Sequence, residues 1–180
     1  MPSVQQDEFD DCVESARTLL GAYEGAGELW EANDFINRAL RLRPTDPEAW
    51  ILKSQILSSL DDDAAALAAA EMAVRRAPRQ AEAHYVRGAV LADMARYPDA
   101  LKAIERAFRH SGLTDDWLLE DLFYEKAAIL DALDRADEAM ATFEAGLRTC
   151  PESQLLKSGL EPLRRERTRK SLRLLDGGRR

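Results

Sequence analysis

His84 and His110 are the only imidazoles in the chain, so acid–base or nucleophile-activating chemistry would have to start there. Nothing in the sequence sets a nucleophile beside either one. His84 falls on an apolar helical stripe, where a hydrogen-bonded structural histidine is expected. His110 ends a helix, where a cation suits the dipole. Asp61-Asp62-Asp63 offers carboxylates to a metal, but no further oxygen ligands follow at the spacing of a calcium loop. Three aspartates ahead of an alanine run read instead as a helix N-cap. Gly21, Gly25 and Gly27 lack the Gly-Lys-Ser/Thr ending and the preceding strand of a phosphate loop. Cys12 and Cys150 stand far apart and in no CxxC pair, which suits a reducing compartment and no metal framework. These residues predict no enzyme, no cofactor and no metal.

The bulk numbers set wider bounds. The chain has 180 residues, 46% apolar and 32% charged, the mix of one ordinary globular domain. No run of about 18 apolar residues is present, so no membrane-spanning helix is expected. The polar start has neither a basic nor an apolar signal region, and a cytoplasmic location is the expectation. The net charge of −8 hides an asymmetry: residues 151–180 carry nine Lys or Arg against four acids, +5, which leaves −13 for the rest.

The elements that must position any site come from a repeat. Ala66 and Ala100, Ala73 and Ala107, Leu57 and Leu91, and Ser54 and Gly88 are each 34 residues apart. Ala32, Ala39, Tyr23 and Pro44 extend the frame backwards. A self-similar period of this length marks stacked helix pairs. The first helix is expected from Asp7 to Tyr23 and the second from Leu29 to Leu42, parted by Gly25-Ala26-Gly27. Pairs at Pro47 to Ala77 and Ala81 to Arg109 follow. Ala139 lies 39 residues after Ala100, so five residues are extra, in Ser111 to Asp116. A fourth pair carries Phe123, Ala127, Leu130, Ala139, Phe143 and Gly146. Leu155, Leu156 and Leu160 are expected to cover it, and Pro162 to restart a charged helix.

The residues resemble tetratricopeptide repeats, whose pattern is W-x2-L-G-x2-Y, then A-x3-F, then A and P. In the second unit Trp50, Ser54, Leu57, Ala66, Ala70, Ala73 and Pro78 occupy those slots, and Lys53 departs from the family's leucine. In the third, His84, Gly88, Leu91, Ala100, Ile104 and Ala107 match, with Gly112 in the proline slot. The first matches through Ala16, Leu19, Leu20, Tyr23, Ala32, Ile36, Ala39 and Pro44, and the fourth through Phe123, Ala127, Leu130, Ala139, Phe143 and Pro151. The resemblance implies an all-α helical-repeat solenoid of about four helix-turn-helix units plus a C-terminal capping helix. The units run approximately 13–46, 47–80, 81–114 and 120–153 within an array of 7–153. Residues 1–6 form a flexible lead, and 154–180 form the capping helix and basic tail.

In that family the first helix of each unit lines an inner groove that holds peptides. The corresponding positions here include Glu14 and Arg17 in the first unit, and Glu48, Ile51 and Gln55 in the second. Glu82, Tyr85 and Asp93 follow in the third, and Asp121, Tyr124 and Asp131 in the fourth. The groove so built is acidic. Ile51, Glu82, Tyr85, Val86 and Ala89 do not supply the family's Lys/Asn/Lys/Arg clamp for a C-terminal carboxylate, which argues against chaperone tails. The expected function is a scaffold or adaptor whose partner is a protein with a basic or amphipathic segment. An alternative is a basic tail, Arg164 to Arg180, that docks on the acidic groove of its own chain or of a second copy, giving a homo-oligomer. A third reading, contact of the tail with nucleic acid or an anionic membrane, is opposed by the body's charge, and an enzyme reading comes last.

Overall fold

The structure is a computed structural model that describes residues 4–112 and 116–177, with side chains for 4–112 and 118–169. It falls into two compact units, Met1–His110 and Ser111–Arg180. Among the described residues all regular structure is helical.

The first unit holds α1 (Val4–Ala22), α2 (Ala26–Leu42), α3 (Pro47–Ser59), α4 (Asp63–Arg76), α5 (Ala81–Asp93) and α6 (Tyr97–His110). Each helix packs on the next, and α1, α3 and α5 also pack in a row. The starts are written in the sequence. The Glu28 carboxylate accepts from the Gly25 and Glu24 backbone N–H at 2.8 and 3.1 Å, which starts α2. Asp46 caps α3 by accepting from Ala49 N–H at 2.9 Å, with Pro47 at the position where its missing N–H costs nothing. Of the three aspartates it is Asp62 that caps α4, accepting from Ala65 N–H at 3.1 Å.

The turn inside a pair recurs in the same register. Asp61, Ala95 and Asp134 all have φ near +60° (57°, 56° and 60°). After each, the next N–H reaches back five residues: Asp62 to Leu57 O at 3.0 Å, Arg96 to Leu91 O at 2.8 Å, and Arg135 to Leu130 O at 2.9 Å. This is a Schellman helix end, built here without glycine. Asp134 keeps the register although it follows Ala95 by 39 residues.

Small residues form the seam between paired helices. Ala32, Ala39, Ala66, Ala70, Ala73, Ala100, Ala107 and Ala139 are all fully buried. Ser54 Oγ donates to Ala66 O at 2.8 Å across α3 and α4. Gly88 holds the same slot in α5, and a Cβ there would stand 2.5 Å from Ile104 Cδ1. Trp50 and His84 occupy equivalent slots and do the same work. Trp50 Nε1–H donates to Pro44 O at 2.9 Å, and His84 Nε2 bonds Pro78 O at 2.9 Å.

The second unit holds α7 (Asp116–Ala132), α8 (Ala136–Thr149) and α9 (Gln154–Gly177), with α9 packed on both others. Ser153 Oγ accepts from Leu156 N–H at 3.0 Å and bonds the Glu120 carboxylate, which ties the start of α9 to α7. Leu156, Leu160 and Leu163 are buried beneath it.

Several expectations are corrected. α1 begins at Val4, so residues 4–6 are helical, and Gln6 Nε2 donates to Asp10 at 2.9 Å. Tyr23, placed on the apolar stripe of the first helix, lies beyond its end and is 46% exposed. Ile51, assigned to the groove, is buried against Ala70, Ala73, Ala83 and Val86. Leu155 points outward while Leu163 takes part in the cover. Pro162 does not restart a helix: α9 runs through it. Proline inside a helix costs about 3 kcal/mol, and buried leucines on both sides of it hold α9 continuous. Of the five extra residues' segment, 113–115 lie outside the described residues, as do the side chains of Leu172, Leu174, Leu175 and the last four basic residues of the tail.

Candidate binding surface

A first helix exposes the face left over once its stripe is packed. In α1, α3 and α5 that leftover face gathers charge. Glu82 is half-buried, and its carboxyl is pushed up by burial first, then by Glu48, with Arg17 opposing. Three consecutive first helices therefore bring Arg17 and Glu48 within reach of the Glu82 carboxylate. Tyr85, one turn along from Glu82, lies half-buried against the Ile51–Val86 cluster. Gln55 is half-buried on α3, and Glu14 is exposed on α1.

Asp93 closes the far end of α5. Ser58 Oγ donates to Asp93 Oδ2 at 3.3 Å. Burial raises this carboxyl, the Ser58 bond lowers it, and Asp63 raises it. Eleven residues of helix separate Asp93 from Glu82, roughly 16 Å, so the two do not form one cluster.

The remaining expected residues belong to the second unit. The Asp121 carboxyl is pushed up by burial and then by Glu120. Asp131 is exposed. The Tyr124 ring does not stand open: it meets Phe143 edge-on at 5.9 Å, and a Cβ at Gly159 of α9 would lie 3.3 Å from Tyr124 Cε2. The helix that follows covers it.

The histidines do come together, in a way that spacing alone did not show. Their rings stack at 5.5 Å with planes 20° apart. His84 spends Nε2 on Pro78, and its buried Nδ1 has no partner among the described residues. Burial lowers its pKa, the Pro78 bond raises it, and His110, Arg106 and Arg87 lower it. The folded chain thus resists a proton that the unfolded chain accepts, and stability falls as pH drops below about 6.5. Urea midpoints at pH 7.5 and 5.5 check this. In a His84→Trp variant, which restores the indole of the equivalent slot, the difference should shrink.

Among the described residues no group of three or more His, Cys, Asp or Glu side chains is arranged so that it could hold a metal ion. No helix among them is long and apolar enough to cross a membrane.

Paired helices, a small-residue seam and a recurring turn at the 34-residue register decide the architecture. The chain has the tetratricopeptide-repeat fold. Pseudomonas aeruginosa pilF superposes with a TM-score of 0.77 at 16% identity, over 92% of this chain and 72% of that one. A thermophilic tetratricopeptide-repeat protein from Thermus thermophilus gives 0.73 at 20% identity, over 86% and 80%. The TPR2B domain of yeast Sti1, in its pHsp70 complex, gives 0.60 at 18% identity, over 67% and 97%. In sequence the chain matches no family model and no curated protein. At these identities the tetratricopeptide likeness is one of fold.

Proposed function

We propose that the chain is a non-enzymatic interaction scaffold that holds a basic or amphipathic segment of a partner protein on the face lined by α1, α3 and α5. The observation that carries this reading is the Glu48–Glu82 pair. Burial first, and then the Glu48 carboxylate on the neighbouring first helix, raise the cost of ionising Glu82, and a cationic side chain laid between the two would relieve it. Tyr85 adds a half-buried ring beside them. The Sti1 neighbour was solved as a complex with pHsp70, which agrees with a protein ligand. A chaperone-tail ligand for this chain finds no support, since Ile51 and Val86 are 3% exposed apolar residues at two of the clamp positions.

The test is a titration with a labelled basic amphipathic peptide. Binding should weaken as salt rises, and Glu48→Lys with Glu82→Lys should lower affinity at least ten-fold, with a smaller loss for Tyr85→Ala. Unchanged binding in the charge-reversed variant would remove the reading.

A second reading rests on α9. Arg167 and Arg169 are exposed along it, while Arg164 is held by Glu144 at 2.9 Å and Arg165 by Glu161 at 3.0 Å. Docking of this basic helix on the acidic face of its own or another copy would block the groove. The same titration on a chain lacking residues 164–180 decides: tighter peptide binding or a smaller sedimenting species supports docking, and no change in either removes it.

A further inference from the structure

Between α2 and α3 lies an open cleft of about 530 Å³, within the usual size of a ligand site. Asp34, Asn37, Arg38 and Arg41 line it from α2, and Trp50 and Lys53 from α3. Successive helical residues turn by about 100°. Trp50 and Lys53 therefore leave α3 roughly opposite Glu48 and Gln55, and the cleft is a different face from the acidic one.

Its charge is also different. Three cations and one acid meet in a chain whose net charge is −8. Arg38 is engaged by Glu8 at 3.0 Å. Arg41 is exposed and makes no ion pair among the described residues. Lys53 Nζ donates to Asn37 Oδ1 at 2.9 Å and lies 5.3 Å from the Trp50 ring centre. Its partner is thus a neutral amide. The repeat shows what is missing: the positions 34 and 68 residues after Asn37 are Glu71 and Glu105, and the position 34 after Lys53 is Arg87. The first interface keeps the cation and lacks the carboxylate. Burial lowers the Lys53 pKa.

We propose that this cleft binds an acidic peptide segment of a partner protein, its carboxylates on Arg41 and Lys53 and an apolar side chain against Trp50. Charge complementarity selects the occupant, because a basic or neutral segment would leave both cations unanswered. The indole edge supplies the apolar contact that an anion site alone would lack. The cleft would make the scaffold two-sided, taking opposite charges on opposite faces.

The probe is a labelled acidic pentapeptide with a central phenylalanine, titrated against the full chain at low salt. Saturable binding is expected, at least ten-fold weaker in Arg41→Glu. Asn37→Glu places the carboxylate of the other repeats at its own register, so it should fold normally and also weaken binding at least ten-fold. Glu82→Lys should leave this binding in place, which separates it from the groove proposed above. No saturation by millimolar peptide, or equal affinity in Asn37→Glu, overturns the proposal. So does binding to phosphatidylserine vesicles, with the same dependence on Arg41, in place of the peptide.

Discussion

Deleting residues 154–180 is expected to unfold the unit Ser111–Arg180 and to leave Met1–His110 folded. Leu156, Leu160 and Leu163 are 0%, 2% and 8% exposed. Burying a leucine is worth about 1.5–3 kcal/mol, so the three together contribute roughly 5–9 kcal/mol at most. A whole domain has a margin of only about 5–15 kcal/mol. Close contact makes the loss harder to absorb. A Cβ at Gly146 would stand 2.8 Å from Leu156 Cδ1, and one at Gly159 would stand 2.5 Å from the Phe143 ring. Without α9 those surfaces face water. Hydrogen exchange reads the result by helix. Amides of α7 and α8 should lose protection while those of α3 to α5 keep it. A chain lacking only 170–180 retains all three leucines and serves as the control. Full protection of α7 and α8 in the longer deletion would show that α9 is dispensable.

Ile104→Ala should be the most costly single truncation in the third pair, at about 2–5 kcal/mol. Ile104 is fully buried and lies directly over Gly88, nearer than any side chain at position 88 would tolerate. That closeness makes a second outcome specific. Gly88→Ala alone pushes a methyl into Ile104, and overpacking of this kind costs about 1–3 kcal/mol. In the double variant the methyl enters the space vacated by isoleucine, and alanine is the better helix former by about 1 kcal/mol. Gly88→Ala should therefore destabilise the parent chain and stabilise the Ile104→Ala chain. Urea denaturation of the four chains measures the coupling. Additive effects would mean that the two residues do not share one space.

Much of this architecture is readable from the order of residues. The offset of 34 located the alanines that prove fully buried, because a close helix pair admits only a small side chain at one face. The aspartate cap of α4 and the start of α3 at Pro47 were readable for a local reason, whereas a start at Pro162 was misread because buried leucines on both sides carry α9 through it. Tyr23 was misplaced because the turn after Ala22 ends the helix before the tyrosine can join its stripe. Ile51 was misplaced because the edge of the groove and the next pair's core lie one residue apart around α3. The charge of the candidate surface was legible as a count. Its grouping was not: Ser58 with Asp93, and His84 with His110, meet only once helices from distant positions pack. Lys53 was the one visible sign of the α2–α3 cleft, a cation standing where the pattern asks for leucine.

The recurring left-handed residue at Asp61, Ala95 and Asp134 has a consequence for how such a chain can change length. Each of these residues closes its helix with the same backbone path. Cutting at Asp61 and rejoining at Ala95 would splice two identical geometries and remove one whole cassette of 34 residues. Whole modules can therefore be gained or lost without rebuilding a joint, and the five extra residues before Asp134 leave its turn unchanged.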